Sequence, residues 1–273
     1  MQKILVVIVT YNGLKWLEKC LGSISGADVL VVDNASSDGS AEFIKANFPD
    51  VRLVQNAENK GFTDANNYGF KYALENGYDY VYLMNQDAWL EPDTLPKLIE
   101  AAESNPEYAI LSPMQMQADL EHPDRLFARL IKNDFSEEGI YTVRFVMAAH
   151  WLVRCSALRK IGLFAPLFPI YGQDDNLCDR AYYNGFKVGI VPNAKAVHDR
   201  ATRKESKDKI IFRNYYNTTL VRLCDPNKPL WRQKLWLIAY TLVKSAKYLS
   251  LKPFSYFFKI CSQTKDIKET RKL

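Results

Sequence analysis

The chain is poor in cysteine. Cys20, Cys155, Cys178, Cys224 and Cys261 are the five among 273 residues, none forms a CxxC pair, and their number is odd. This argues against a disulfide framework or a cysteine zinc site and for a reducing compartment. No GxGxxG follows the first apolar run, which weakens a dinucleotide-binding reading, and no GxxxxGK[ST] occurs, which removes the P-loop class. Long apolar runs are also missing. Leu235–Val243 is strongly apolar but holds only nine residues between Lys234 and Lys244, where a bilayer span needs about 20. The N-terminal KILVVIVT is of strand length with no small-residue cleavage site after it, so a buried strand is expected rather than a signal peptide.

What is present is an ordinary globular composition, 48% hydrophobic and 25% charged, on a chain long enough for a full core. The net charge of +5 hides an asymmetry. Residues 226–273 carry nine lysines and two arginines against Asp266 and Glu269, a net +9, which leaves the other 225 residues at −4. A mildly acidic body with a basic tail points to an anionic surface as the tail's partner. Nucleic acid is not an expected partner.

Apolar periodicity orders the first 85 residues. Lys3–Thr10 is β-branched without alternation, as in a strand buried on both faces, and Leu14, Leu17 and Leu21 give helical spacing after it. Ala27–Asp33, Val51–Gln55 and Tyr78–Met84 read as three further strands, with helices over Ala41–Asn47 and Phe62–Asn76 between them. Strand and helix in alternation predict βαβ units, a mostly parallel Rossmann-like sheet flanked by helices. Leu95–Ser104 reads as a helix, Ile110–Met116 as a strand, Gln117–Ile140 as an irregular insert, Tyr141–Val153 as one or two strands, and Lys187–Val191 as another. The division expected is a domain over 1–225 and a basic, apolar-aromatic helical extension over 226–273. In the extension Trp231, Leu235, Ile238, Leu242 and Leu249 approximate a helical stripe, Lys252-Pro253 breaks it, and Phe254–Ile260 is again apolar and aromatic. Interleaved lysines suit an interfacial helix. Packing on the domain or on a dimer partner is the alternative.

Ligands of such sheets bind at the carboxyl ends of the strands, and there the polar residues collect. Thr10-Tyr11-Asn12 ends the first strand, Asp33-Asn34 the second, and Asn85-Gln86-Asp87 the fourth. A strand that closes on a carboxylate beside two amides offers oxygen ligands to a hard divalent cation, although an Asp there also serves as a turn residue or cap. Asp174 and Asp175, in a second charged cluster over Pro169–Asn176, open a further helix, where the dipole stabilises acids as ordinary caps. His198 follows a strand-like segment and precedes the polar run Asp199–Lys209, which reads as mobile.

Five stretches together, VVIVTYNGLKWLEKCLGSI, VLVVDNASSDGSAEFI, NKGFTDANNYGF, YLMNQDAWLEPDTL and YGQDDNLCDRAYYNGFKV, run in order across about residues 3–200. They resemble the family 2 glycosyltransferases of GT-A fold, in particular the rhamnosyltransferase-like branch that builds surface polysaccharides. The resemblance implies an inverting, metal-dependent enzyme that uses a nucleotide-sugar donor and a glycan or lipid-linked acceptor, cytoplasmic or peripheral at the inner face of the cytoplasmic membrane. It implies that Thr10, Tyr11 and Asn12 line the nucleotide pocket, that Asp33 accepts hydrogen bonds from base or ribose, and that Asn59, Gly61, Phe62 and Asn66 form the adjoining wall. Asn85 and Gln86 are grouped with these nucleotide-sugar residues. Asp87 would bind Mn²⁺ or Mg²⁺, with His198 completing the metal site. Asp174 would be the general base, with Asp175 the alternative. Two positions depart from the family pattern. Asn85 replaces one acid of the Asp-x-Asp motif, and Gln173 stands where related sequences often carry a glutamate. Those losses also motivate a second reading, a non-catalytic module of the same fold that binds nucleotide or glycan.

Overall fold

The computed structural model describes residues 2–125, 127–131, 139–199 and 207–273, and the side chains of 207–212 are not among the parts described. The first half alternates as expected: β1 (Ile4–Thr10), α1 (Leu14–Gly22), β2 (Asp28–Asp33), α2 (Ser40–Asn47), β3 (Arg52–Gln55), α3 (Gly61–Glu75) and β4 (Tyr80–Asn85). The chain goes on through β5 (Ala88–Leu90), α4 (Thr94–Ser104), β6 (Tyr108–Met116), β7 (Tyr141–Thr142), β8 (His150–Arg154), α5 (Cys155–Ile161), α6 (Gln173–Tyr183) and β9 (Lys187–His198). Four helices follow: α7 (Lys207–Cys224), α8 (Leu230–Tyr248), α9 (Lys252–Ser262) and α10 (Thr264–Thr270).

All described strands join one sheet in the order β3-β2-β1-β4-β8-β6-β9-β5, with β7 on β9. Pairings among β1 to β4 are parallel, whereas β8 runs antiparallel to both β4 and β6, and β5 and β7 antiparallel to β9. The sheet is therefore parallel where βαβ units build it and mixed as a whole. Alternate residues of β1 fall into two separate cores. Leu5 and Val7 pack on α3 and α5, while Val6 and Ile8 pack on α1, α2 and α4. That double burial explains the unbroken aliphatic run. Gly69 lets α3 lie close on β1, because a Cβ there would collide with the Val7 side chain.

Some elements lie outside the sequence expectation. Ala88–Leu90, which it assigns to no element, is a short strand, because it finds the end of β9 to pair with. β9 runs on to His198 through an irregularity beside Pro113 and Met114. α7 has no clean amphipathic period, since its buried set (Tyr215, Thr219, Leu220, Leu223 and Cys224) mixes hydroxyls with apolar groups. Of the expected mobile run Asp199–Lys209, residues 200–206 lie outside the described residues, and α7 begins at Lys207. Within the irregular insert, residues 126 and 132–138 lie outside them too, while Phe127 is buried in the core.

A candidate active site at the carboxyl rim of the sheet

Strand register brings the polar strand ends level. Thr10 pairs with Asp33, Asp33 with Gln55, and Val9 with Asn85. The loops after β1 and β2 then interlock. Asn12, at φ 51°, receives Ser37 N–H on its Oδ1 (2.8 Å) and donates its own N–H to Ser36 Oγ (2.9 Å). Leu14 N–H donates to Asp38 Oδ2 (3.0 Å) and Gly13 N–H to Ser40 Oγ (3.2 Å). The start of α1 is thus capped from across the rim rather than by its own preceding residue. Asp33 is buried, and both of its oxygens accept from Ser36: Oδ2 from the backbone N–H at 3.2 Å and Oδ1 from the hydroxyl.

Gln86 braces the first of these loops. Its Oε1 accepts from Thr10 Oγ1 and from Tyr11 N–H, both at 2.8 Å, and its Nε2 donates to Tyr11 O at 3.3 Å. Thr10 is fully buried beneath it, whereas Tyr11 is half exposed above. Gly13 is required at this point because a Cβ would run into Gln86 Oε1 and Thr10 Oγ1. On the neighbouring wall, Asn59 Oδ1 accepts from Gly61 N–H (2.8 Å), with Gly61 at φ 78°, and buried Asn66 donates to Phe62 O (2.9 Å). Asn34 ties this wall to β2 by donating to Gly61 O at 3.1 Å.

Asp87 and His198 face one another because β5 and β9 pair Ala88 with His198. His198 Nε2 lies 3.5 Å from Asp87 Oδ1. Two ligands on one cation, each about 2.1 Å away, stand about 3.0–3.5 Å apart, so the pair fits adjacent coordination positions. Among the described residues no group of three or more His, Cys, Asp or Glu could hold a metal. A cation at this pair would have two ligands from the chain, with its other positions left to a substrate's oxygens and water. His198 Nδ1 is buried with no hydrogen-bond partner among the described residues. Asp199, the next residue, donates its N–H to Asp87 O (2.8 Å) and accepts Trp16 Nε1–H on Oδ2 (3.1 Å), which fastens α1 to this corner.

Asp174 and Asp175 sit in the first turn of α6, after Tyr171 and Gly172, both in left-handed conformations (φ 68° and 94°). Burial raises the Asp174 carboxyl above its usual range, against the pull of backbone N–H groups of Asp175, Asp174, Ala148 and Gly172. Burial also drives Asp175 upward, and the charges of Asp174 and Asp179 add to it, bringing it to about 7. Asp179, salt-bridged to Arg144 at 3.0 Å, is lifted to about 6, by burial first and then by Asp225.

Residues 148–150 connect these parts. Ala148 N–H faces Asp174, Ala149 O accepts from Asn85 N–H (3.0 Å), and His150 Nε2 bonds Val197 O (2.9 Å) next to His198. His150 is fully buried, with Nδ1 2.9 Å from Tyr82 Oη, and burial depresses its pKa to about 3, so it is a neutral strut. Base candidate, strand-end motif and cation pair thus share one rim.

Of the residues singled out from the sequence, Tyr11, Asn12, Asp87, Asp174 and His198 stand around this rim, while Thr10, Asp33, Asn66 and Gln86 make the internal bonds that shape it. Sequence reading overlooked His150, Asp199, Trp16 and Asn67, the last holding Phe164 through both its amide atoms at 2.9 Å. Spacing carries no signal for pairs 97 or 183 residues apart. The doubled asparagine in GFTDANN is the one local hint.

The chain matches the family model described as "Glycosyl transferase family 2" over residues 5–162. It is 25% identical over 274 residues to the N-acetylglucosaminyl-diphospho-decaprenol L-rhamnosyltransferase of Mycobacterium tuberculosis, covering 87% of this chain and 89% of that one. It is 26% identical over 205 residues to the dTDP-rhamnosyl transferase RfbF of Shigella flexneri, covering 71% and 68%. Among solved structures, the mannosyltransferase PcManGT of Pyrobaculum calidifontis, in complex with GDP-Man and Mn²⁺, superposes with a TM-score of 0.61 at 18% identity, over 99% of this chain and 83% of that one. That likeness carries the fold.

Proposed function

The chain belongs to glycosyl transferase family 2, and we propose that it is an inverting transferase that moves a deoxyhexose or hexose from a nucleotide diphosphate to a hydroxyl of a lipid-linked glycan, in surface polysaccharide assembly. The observation that carries this reading is the junction at residues 148–150, which puts the Asp174 carboxylate and the Asp87–His198 pair on one rim. The relatives' printed substrates, a diphospho-decaprenol acceptor and dTDP-rhamnose, fit it.

Asp174 accepts the proton of the acceptor hydroxyl. The hydroxyl oxygen bonds to the anomeric carbon from the face opposite the diphosphate, and the bond to the diphosphate oxygen breaks. A single base is enough because no second carboxylic acid is needed to protonate the leaving group, unlike in glycosidases. Asp174 serves better than Asp175: four backbone N–H groups favour its anion, whereas the charges of Asp174 and Asp179 add to burial in raising Asp175. Asn12 and Tyr11, held by Ser36, Ser37 and Gln86, bind the nucleotide, and Asp33 fixes that loop through Ser36. A divalent cation held by Asp87 and His198 would neutralise negative charge on the leaving diphosphate. With one carboxylate and one imidazole, Mn²⁺ suits the pair better than Mg²⁺.

The test is Asp174→Asn, assayed for transfer and, by calorimetry, for binding of dTDP, UDP and GDP sugars with and without Mn²⁺. Transfer is expected to vanish while donor binding persists, and Mn²⁺ alone is expected to bind far more weakly than Mn²⁺ with nucleotide. Near wild-type turnover in the variant would remove Asp174 as base. Binding without turnover by the wild-type chain on a broad donor and acceptor panel would favour the non-catalytic module.

A further inference from the structure

Helix α8 is apolar on two opposite faces. Its inner face, Gln233, Leu237 and Thr241 with half-buried Trp236 and Tyr240, packs on α7. There Tyr215 and Thr241 share a hydroxyl hydrogen bond of 2.6 Å and the Tyr215 and Tyr240 rings stack at 5.4 Å. Roughly half a turn away, Trp231, Leu235, Ile238 and Leu242, spaced four, three and four residues apart, are 60%, 59%, 50% and 55% exposed. That spacing makes a single stripe. Leu249, seven residues further, continues it beyond the helix end and is 94% exposed. A helix that merely caps a domain carries polar residues on its outer face, and an apolar stripe of this size marks an interaction surface.

The surrounding charge selects the partner. Residues 226–265 contain seven lysines and Arg232 and no acid. Arg232, Lys234 and Lys247 lie on exposed positions of α8, and Lys252 just beyond it. In a two-fold dimer the same stripe would meet itself, setting these cations against their copies with no carboxylate among residues 226–265 to pair them. An anionic bilayer answers both features, with apolar side chains entering the headgroup boundary and lysines at the phosphates. No helix among the described residues is long and apolar enough to cross a membrane, so the contact is one of lying on the surface.

We propose that the outer stripe of α8, with its flanking lysines, docks this protein on an anionic lipid bilayer. The other helices of the extension carry the active site with it. Ala165 and Phe168, in the loop before α6, pack in one cluster with Leu220, Leu237, Ile260 and Ile267. A cavity of about 710 Å³ opens between that loop, which leads into Asp174, and Tyr216 of α7, Lys259 of α9 and Gln263 between α9 and α10. A lipid-linked acceptor drawn from the docked surface would approach the base helix along this seam.

The proposal builds on the lipid-linked acceptor above, but its test needs no sugar donor, so the two can fail separately. The full chain is floated with vesicles of phosphatidylcholine alone or with one third phosphatidylglycerol, at low and high salt. Binding is expected with the anionic vesicles only and should weaken as salt rises. Leu235→Ser with Ile238→Ser should weaken it about tenfold or more, and Lys234→Gln with Lys247→Gln about fivefold per lysine at low salt. Both pairs should keep the wild-type melting temperature and transfer to a water-soluble acceptor. The charge pair removes no apolar side chain and decides the matter if the serine pair melts early. Absence of vesicle binding by the wild-type chain would overturn the proposal. So would a wild-type dimer that the serine pair converts to monomer.

Discussion

Replacing Asp175 by Asn should stabilise the protein at neutral and alkaline pH and do nothing near pH 4. Burial and the charges of Asp174 and Asp179 move the Asp175 carboxyl from 3.8 to about 7. The folded protein therefore holds this proton more tightly than the unfolded chain does. Its contribution is fully present below the usual carboxylate range and is lost as pH rises through about 7. By pH 8 the wild type carries a buried, repelled charge that Asn lacks. The full interval corresponds to about 4 kcal/mol, and discounting for the solvent this carboxyl still meets leaves about 2 kcal/mol. For a chain of this size that is a gain of about 4–8 °C in melting temperature at pH 8. The assay is a pair of melting curves across pH 4 to 8, read as the difference between variant and wild type, so that titrations common to both cancel. Parallel profiles, or a variant less stable at pH 8, would refute the electrostatic picture of this helix start.

Gly13→Ala should cost about 1–3 kcal/mol, since its Cβ meets Gln86 Oε1 and Thr10 Oγ1. Adding Gln86→Ala should recover part of that loss in a double-mutant melt, and a merely additive pair would contradict the clash. His150→Phe strands Tyr82 Oη and Val197 O in the core and should destabilise by on the order of 2–4 kcal/mol. It should also flatten the acid side of the melting profile. With His150 depressed to about 3 from 6.5, wild-type stability falls as pH drops through that interval, because only the unfolded chain takes the proton. A variant with an unchanged acid slope would show that His150 is not the group responsible.

Much of the β1–β4 half is legible in one dimension, because local rules govern it. A run such as KILVVIVT can satisfy two apolar faces only inside a sheet, and alternation with helices then dictates parallel order. Polar residues at Thr10, Asp33 and Asn85 end level because parallel strands of similar start and length align their carboxyl ends. The residue types at these ends restrict the chemistry to hydrogen bonding and oxygen ligation before any coordinate is known.

Tertiary structure decides which of those residues meet. Asp87 and His198 lie 111 positions apart, and only the pairing of β5 with β9 brings them to 3.5 Å. Residues 148–150 look like ordinary strand in the sequence, yet their backbone joins the start of α6 to the strand-end motif. The raised carboxyls of α6 follow from burial and from neighbours such as Asp225, a term that no spacing rule contains. In the tail, periodicity marks Trp231, Leu235, Ile238 and Leu242 as one stripe, but the expectation of core or interface is equal for any apolar stripe. Packing settles which face of α8 is inward, because Leu237 and Thr241 are buried, with Thr241 bonded to Tyr215 of α7, while the stripe opposite them stays 50–60% exposed.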